Sequence, residues 1–308
     1  MDTSDLKHTP GLEPYKVQLM QLAGLASVAV ASILIALKTW AWSATGSIAM
    51  LSSLADSLLD LVASGITLFA VTVAVSPADR EHRFGHGKSE GIACLIQSLI
   101  ISASAAYVAF RAVQRLIAPS AVESPELGVV VTICSLALTL CLAAFQALVV
   151  RRTGSMAISA DAIHYRADIL TNLAVLVAIL ASSAWGLHIA DPLLGLFVVA
   201  VILWSVREIA KDALNVLLDR ELPESDRRRI AEIAYAHPEV RGVHDLRTRS
   251  SGTAQFIQFH LELDPGMRLA RVHEVSGAVE TALRKSFPSA EVLIHADPHG
   301  IDESRDPF

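Results

Sequence analysis

Five stretches of this chain, residues 20–42, 91–110, 127–150, 169–187 and 189–206, carry only Lys38 and Asp191 among groups ordinarily charged, with His188 between the last two. At 1.5 Å per helical residue each is about long enough to cross ~30 Å of hydrocarbon. In a bilayer the backbone must satisfy its own hydrogen bonds, so segments of this kind fold as helices. A sixth stretch, 48–75, is equally apolar except for Asp56 and Asp60, and the fifth extends back to about residue 157 to take in His164 and Asp168. Charged residues make up 18% of the 308-residue chain, against about 25% in soluble domains. The expected fold is therefore a six-helix transmembrane bundle, and the composition suits a lipid environment.

Asp56 with Asp60 and His164 with Asp168 are i, i+4 pairs, so each pair shares one helix face. An ionised carboxylate near the bilayer centre costs about 2.5–3.5 kcal/mol on insertion scales, so such groups need a partner. Three carboxylates and an imidazole form a tetrahedral ligand set for a divalent metal. The ligand types suit Zn²⁺ and tolerate Cd²⁺, Fe²⁺, Co²⁺ or Ni²⁺. Asp161 and Arg166 lie on the same helix, and the two-residue offset of Arg166 from both His164 and Asp168 turns it away from them, toward the interface.

Most loop Lys and Arg fall on one side of the spans: Lys7 and Lys16 before the first, Arg80, Arg83 and Lys88 between the second and third, Arg151 and Arg152 between the fourth and fifth, Arg207, Lys211 and Arg220 after the sixth; on the other side the loops near 43–47 and 183–190 have none, and 116–126 has Glu123 and Glu126 but is flanked by Arg111 and Arg115. Both termini are accordingly expected in the cytoplasm. The N-terminus lacks the cationic start and cleavage site of a signal peptide, so the first span is expected to be retained. Ser124-Pro125-Glu126 reads as the start of the fourth span. Cys94, Cys134 and Cys141 all fall in spans and read as packing residues. A net charge of −6 gives no reason to expect a nucleic-acid partner.

After about residue 215 the chain becomes polar. We expect three segments: 1–19 N-terminal, 20–215 transmembrane and 216–308 a small cytoplasmic α+β domain. In the last, Pro223–Ala236 and Arg268–Phe287 read as helices, and Val240–Arg249, Ala254–Asp264 and Glu291–His295 as strands, giving the order αββαβ. The second strand alternates Ile257, Phe259, Leu261 and Leu263 against Gln258, His260 and Glu262. His244, His260, His273, His295 and Asp297 in this domain are candidate ligands, the HxD carboxylate being able to bridge two metals; a lone strand His is otherwise a surface or core residue. Asp79, His82 and His86, in the loop SPADREHRFGHGKSE, are a third candidate set, or else a solvated loop.

The strings ADSLLDLVASG, SPADREHRFGHGKSE, ADAIHYRADILTN, HDLRTRSSG, FIQFHLEL and IHADP, in this order over nearly the whole chain, closely resemble the cation diffusion facilitators, and among them the bacterial zinc and iron efflux antiporters. The resemblance implies a homodimer in the inner membrane, surrounded by lipid, that exports a divalent cation against protons. It implies Zn²⁺ both as substrate and as a structural ion. It also implies a transport site at Asp56, Asp60, His164 and Asp168, a loop site at Asp79, His82 and His86, and a binuclear site using His244, His260, His273, His295 and Asp297. Lys88 and Asp219 match a dimer-locking salt bridge. Two departures are His299, where Cys is expected, and Arg166, where an uncharged polar residue is usual. A membrane-anchored metal sensor without transport is the alternative. An intramembrane metalloenzyme is disfavoured, since there is no HExxH and the four groups Asp56, Asp60, His164 and Asp168 are all consumed in ligation, leaving no substrate-activating residue.

Overall fold

The structure is a computed structural model and describes residues 13–46, 48–117, 126–185, 190–252 and 254–300. Lys7, Ser124, Pro125 and His188 lie outside the described residues. Two compact units are present: Tyr15–Val73 with Ser89–Leu214, and Ala74–Lys88 with the chain from Asn215 onward.

The first unit is all helix: α1 (Pro14–Thr45), α2 (Ile48–Ala74), α3 (Ser89–Ile117), α4 (Glu126–Thr153), α5 (Met156–Trp185) and most of α6 (Ala190–Leu217). Five of these are long and apolar enough to span a membrane by length and composition. The sixth, α5, has 30 residues and carries Asp161, His164, Arg166 and Asp168 in its first half. The helices outrun the apolar stretches because polar residues of good helical propensity, such as Arg207 and Lys211 on α6, continue the hydrogen-bond ladder beyond the hydrocarbon.

The inward faces are built from small residues. On α1 the buried positions are Met20, Ala23, Gly24, Ser27, Ala31, Leu34 and Ala41, a stripe with the three- and four-residue steps of one helix face. A Cβ at Gly24 would come within 3.0 Å of the Leu68 side chain, so glycine permits close packing of α1 on α2. On α2, Ser57, Asp60, Ser64 and Thr67 are all buried, a polar stripe inside the bundle. Cys94 is buried, whereas Cys134 and Cys141 are exposed on the helix surface.

The second unit follows the αββαβ order: α7 (Glu224–Tyr235), β1 (Gly242–Ser251), β2 (Ala254–Leu263), α8 (Leu269–Ser286) and β3 (Ala290–Pro298). The sheet order is β1-β2-β3; β1 and β2 are antiparallel, and β2 and β3, joined through α8, are parallel. Ile257, Phe259, Leu261 and Leu263 face a core completed by Val275, Val279 and Leu283 of α8 and Ile230 and Ala234 of α7. The opposite face of β2 presents His260. A bulge between His244 and Arg247, with Asp245 at φ 51°, re-aims the start of β1. β3 runs to Pro298, three residues past the expected end, because it stays in register with β2 through Glu262↔Asp297 and Leu263↔Pro298.

Candidate metal centres

The helix pairs α2 and α5 bring Asp60, His164 and Asp168 together, with one ligand atom of each lying within 4.8 Å of the others. His164 Nε2 is 2.8 Å from Asp60 Oδ1 and 3.8 Å from Asp168 Oδ2. Tetrahedral zinc with bonds of ~2.0–2.1 Å needs ligand atoms about 3.4 Å apart, midway between these separations. The donor set therefore fits a divalent ion with small side-chain adjustments. Asp56, one turn earlier on α2, is exposed and outside this group, although it interacts electrostatically with Lys38 and Asp60. Arg166 is exposed and also outside it.

Around this cluster lies a polar frame that no local spacing announced. Tyr165, fully buried, shares a hydrogen bond of 2.9 Å with Ser64 of α2 and donates to the Ser27 carbonyl of α1. Asp161 Oδ2 accepts from Ser27 Oγ and from Gln146 Nε2, each at 2.6 Å, which ties α1, α4 and α5 together. Buried Glu90 of α3 accepts the Ser155 hydroxyl at 2.9 Å and the Met156 N–H at 2.7 Å. A carboxylate at the free N–H groups of a helix start is a favourable cap.

The loop cluster lies wholly within the second unit. Asp79 Oδ1 accepts the backbone N–H groups of His82 (2.6 Å) and Glu81 (2.9 Å), and these bonds hold its carboxyl below the usual carboxylate range. His82 Nδ1 and His86 Nε2 each lie 3.4 Å from an Asp79 oxygen. The loop is docked on the β1–β2 hairpin: Phe84 meets Phe256 edge-on at 5.5 Å, and the Arg249 guanidinium covers both rings at 4.8 and 4.7 Å. A Cβ at Gly87 would stand 2.2 Å from the Ser251 carbonyl oxygen, so only glycine allows this approach. Lys88 Nζ bonds Asp219 Oδ1 at 2.9 Å, and Arg249 reaches the same oxygen at 3.3 Å. Burial opposes ionisation of Asp219, but the hydrogen bonds and charges of Lys88 and Arg249 outweigh it and hold its pKa below the ordinary value.

The third cluster rests on strand register. His244 pairs with His260 across β1–β2, and His260 with His295 across β2–β3, so three imidazoles lie side by side. Asp297 divides its oxygens among them: Oδ2 is 2.6 Å from His260 Nδ1 and 3.6 Å from His244 Nε2, while Oδ1 is 3.1 Å from His295 Nε2. One carboxylate facing two imidazole sets is the geometry that bridges two ions. Sequence reasoning missed Asp245, which orients His244 through a 2.9 Å contact with Nδ1; the HD dipeptide was its signal. His299 pairs with Glu262 at 2.6 Å. His273 is exposed on α8, whose buried face is given to Val275, Val279 and Leu283, and it joins none of the ligand groups among the described residues.

Residues 24–218 match the cation efflux transmembrane domain, and residues 222–299 the cytoplasmic domain of cation efflux proteins. The chain belongs to the cation efflux, or cation diffusion facilitator, family. Cation-efflux pump FieF of Pectobacterium atrosepticum is 45% identical over 287 residues, covering 93% of this chain and 95% of the relative. FieF of Yersinia enterocolitica is 44% identical over 290 residues, covering 94% and 96%. Among solved structures, a zinc form of CzrB is 30% identical over 28% of this chain and 99% of that one, with a TM-score of 0.26. A cadmium form of the MamM CTD is likewise 30% identical over 25% and 96%, TM-score 0.24. This cation efflux protein is thus a multi-pass membrane transporter with a small α/β domain, and its three acid–imidazole clusters lie on the segments that define the family.

Proposed function

We propose that this cation efflux protein is a homodimer that exports a divalent transition-metal ion, Zn²⁺ foremost and Cd²⁺, Fe²⁺, Co²⁺ or Ni²⁺ as further substrates, from the cytoplasm in exchange for protons. Both termini are cytoplasmic and the six helices sit in the lipid of the inner membrane. The observation that carries the reading is the cluster of buried Asp60 and His164 with half-buried Asp168 inside a bundle of long apolar helices. Asp56 is the fourth ligand of the transport site. Imidazole and carboxylates must shed protons to ligate a metal, so metal binding and proton release are linked. In a near-neutral cytoplasm the cluster loads metal; opened by alternating access to a more acidic exterior, His164 and a carboxylate take up protons and the ion leaves.

Asp79, His82 and His86 form a second metal site, next to the sheet domain. His244, His260, His295 and Asp297 form the binuclear site, with His273 as its candidate from α8, and this domain stabilises the dimer through bound Zn²⁺. Lys88 and Asp219 hold residue 88 to the end of α6. The test is Zn²⁺ uptake into proteoliposomes under an imposed pH gradient. Gradient-driven flux lost in Asp60→Ala supports the antiporter. Metal binding without flux in either protein supports a membrane-anchored sensor, a reading favoured by the ready-made cluster on the sheet.

A further inference from the structure

Lys38 is the one basic residue in the apolar part of α1, and it does not point to lipid. It continues the inward stripe of that helix, four residues after buried Leu34 and three before buried Ala41. Its ammonium group donates to Ser57 Oγ at 2.7 Å and to the Ser53 carbonyl at 3.1 Å, both on α2. Ser53, Ser57 and Asp60 follow one another at i, i+4 and i+7 on one face of α2, with Asp56 beside them. From this position Lys38 interacts electrostatically with Asp60, Asp168 and Asp56 together. Two neutral acceptors anchor it, so it is held beside the carboxylates rather than locked into an ion pair with one of them.

We propose that Lys38 is the resident counter-cation of the transport site, setting how tightly a divalent ion is held and how fast it leaves. This inference rests on the transport-site reading above. Three carboxylates, one ammonium and one divalent ion sum to zero charge with His164 neutral. Without Lys38 the loaded site carries a net negative charge and grips its cargo. Like charges raise each other's free energy in a low-dielectric interior, so the ammonium weakens metal binding by design and speeds release.

The test is Zn²⁺ flux by the full-length protein in proteoliposomes, with Lys38→Gln, Lys38→Met, Lys38→Arg and Asp60→Ala compared with wild type. Loss of the charge lowers KM about tenfold, the smaller end of what one adjacent unit charge does to an ionic equilibrium, and lowers Vmax with it. Lys38→Arg restores both. General damage moves KM upward or leaves it alone, so an unchanged or raised KM in Lys38→Gln and Lys38→Met overturns the inference. Failure of both neutral variants to fold also overturns it, since a tuning charge is not needed for assembly. Asp60→Ala separates the two readings: if it still transports, the site assignment itself fails, whereas an inactive Asp60→Ala beside an unshifted Lys38→Gln refutes only the role of Lys38.

Discussion

Gly87→Ala is the substitution for which the structure gives the clearest magnitude. The new methyl carbon would stand 2.2 Å from the Ser251 carbonyl oxygen and 2.9 Å from its carbon, both backbone atoms that no rotamer change can move. Ordinary contact begins at 3.4 Å, so the loop and the β1–β2 hairpin must separate by about 1 Å or more. Gly252, at φ +63° in the hairpin, faces the same approach from the other side. Forcing carbon into packed space costs roughly 1–3 kcal/mol. The ceiling is the docking energy, because the loop will lift rather than distort the sheet. That energy is one edge-to-face aromatic pair at about 0.5–1.5 kcal/mol and a guanidinium over two rings at about 0.5–1 kcal/mol each. We therefore expect a loss of about 1–3 kcal/mol, which is roughly a five- to 150-fold rise in the population of the undocked loop. Hydrogen–deuterium exchange on the full-length protein in detergent reads it directly: amides of residues 79–88 and 249–256 exchange faster by that factor, while those of β3 do not. Unchanged exchange at 79–88 would refute the close approach, and with it the argument that Gly87 is needed there.

Other expectations follow from the same geometry. Asp297→Ala should remove two zinc ions per protomer from the sheet domain and His295→Ala only one, as counted by elemental analysis after dialysis; equal losses would mean that Asp297 does not bridge. Asp219 ionises more readily in the folded protein than in the unfolded chain, so its stabilisation is complete above the unfolded carboxylate pKa of ~3.9 and is lost as pH falls through the lower folded value. The difference in thermal stability between wild type and Asp219→Asn should accordingly be full at pH 6 and shrink below about pH 4; a gap that widens on acidification would contradict the Lys88–Asp219–Arg249 assignment. Gln146→Leu strips one donor from buried Asp161 and should cost about 1–3 kcal/mol, seen as a lowered Tm in detergent, with no loss expected if water replaces the amide.

The helices and the pairs Asp60 and His164–Asp168 were legible because a charge in an apolar run is locally conspicuous and i, i+4 spacing fixes its face. The β2 strand was legible from its two-residue alternation, and the adjacency of His244, His260 and His295 followed once three strands lay side by side. What was not legible is the frame. Glu90 meets Ser155 and Met156, Ser27 meets Asp161 and Gln146, and Lys38 meets Ser53 and Ser57; each contact joins single polar residues on different helices. No period or motif marks such residues, because their partners are chosen by tertiary packing. Gly87 was visible only as part of the loop SPADREHRFGHGKSE, and nothing in that string marks a backbone pressed against a neighbouring hairpin. His273 shows the reverse: its residue type made it a candidate, but the four-residue steps of Val275, Val279 and Leu283 already assigned the inner face of α8 to the core.

The Glu90 contact at the start of α5 makes that helix a lever with one fixed end. Ser155 and Met156 are held to α3, so a tilt of α5 about that point moves later residues further, and it must carry along or break the Asp161 bonds to Ser27 and Gln146. His164 lies eight residues along, about 12 Å from the fulcrum, and Asp168 about 18 Å. A swing of about 10° would carry the imidazole about 2 Å and the carboxylate about 3 Å, the latter close to the spacing between neighbouring metal ligands. A rotation about that start would therefore displace Asp168 further than His164.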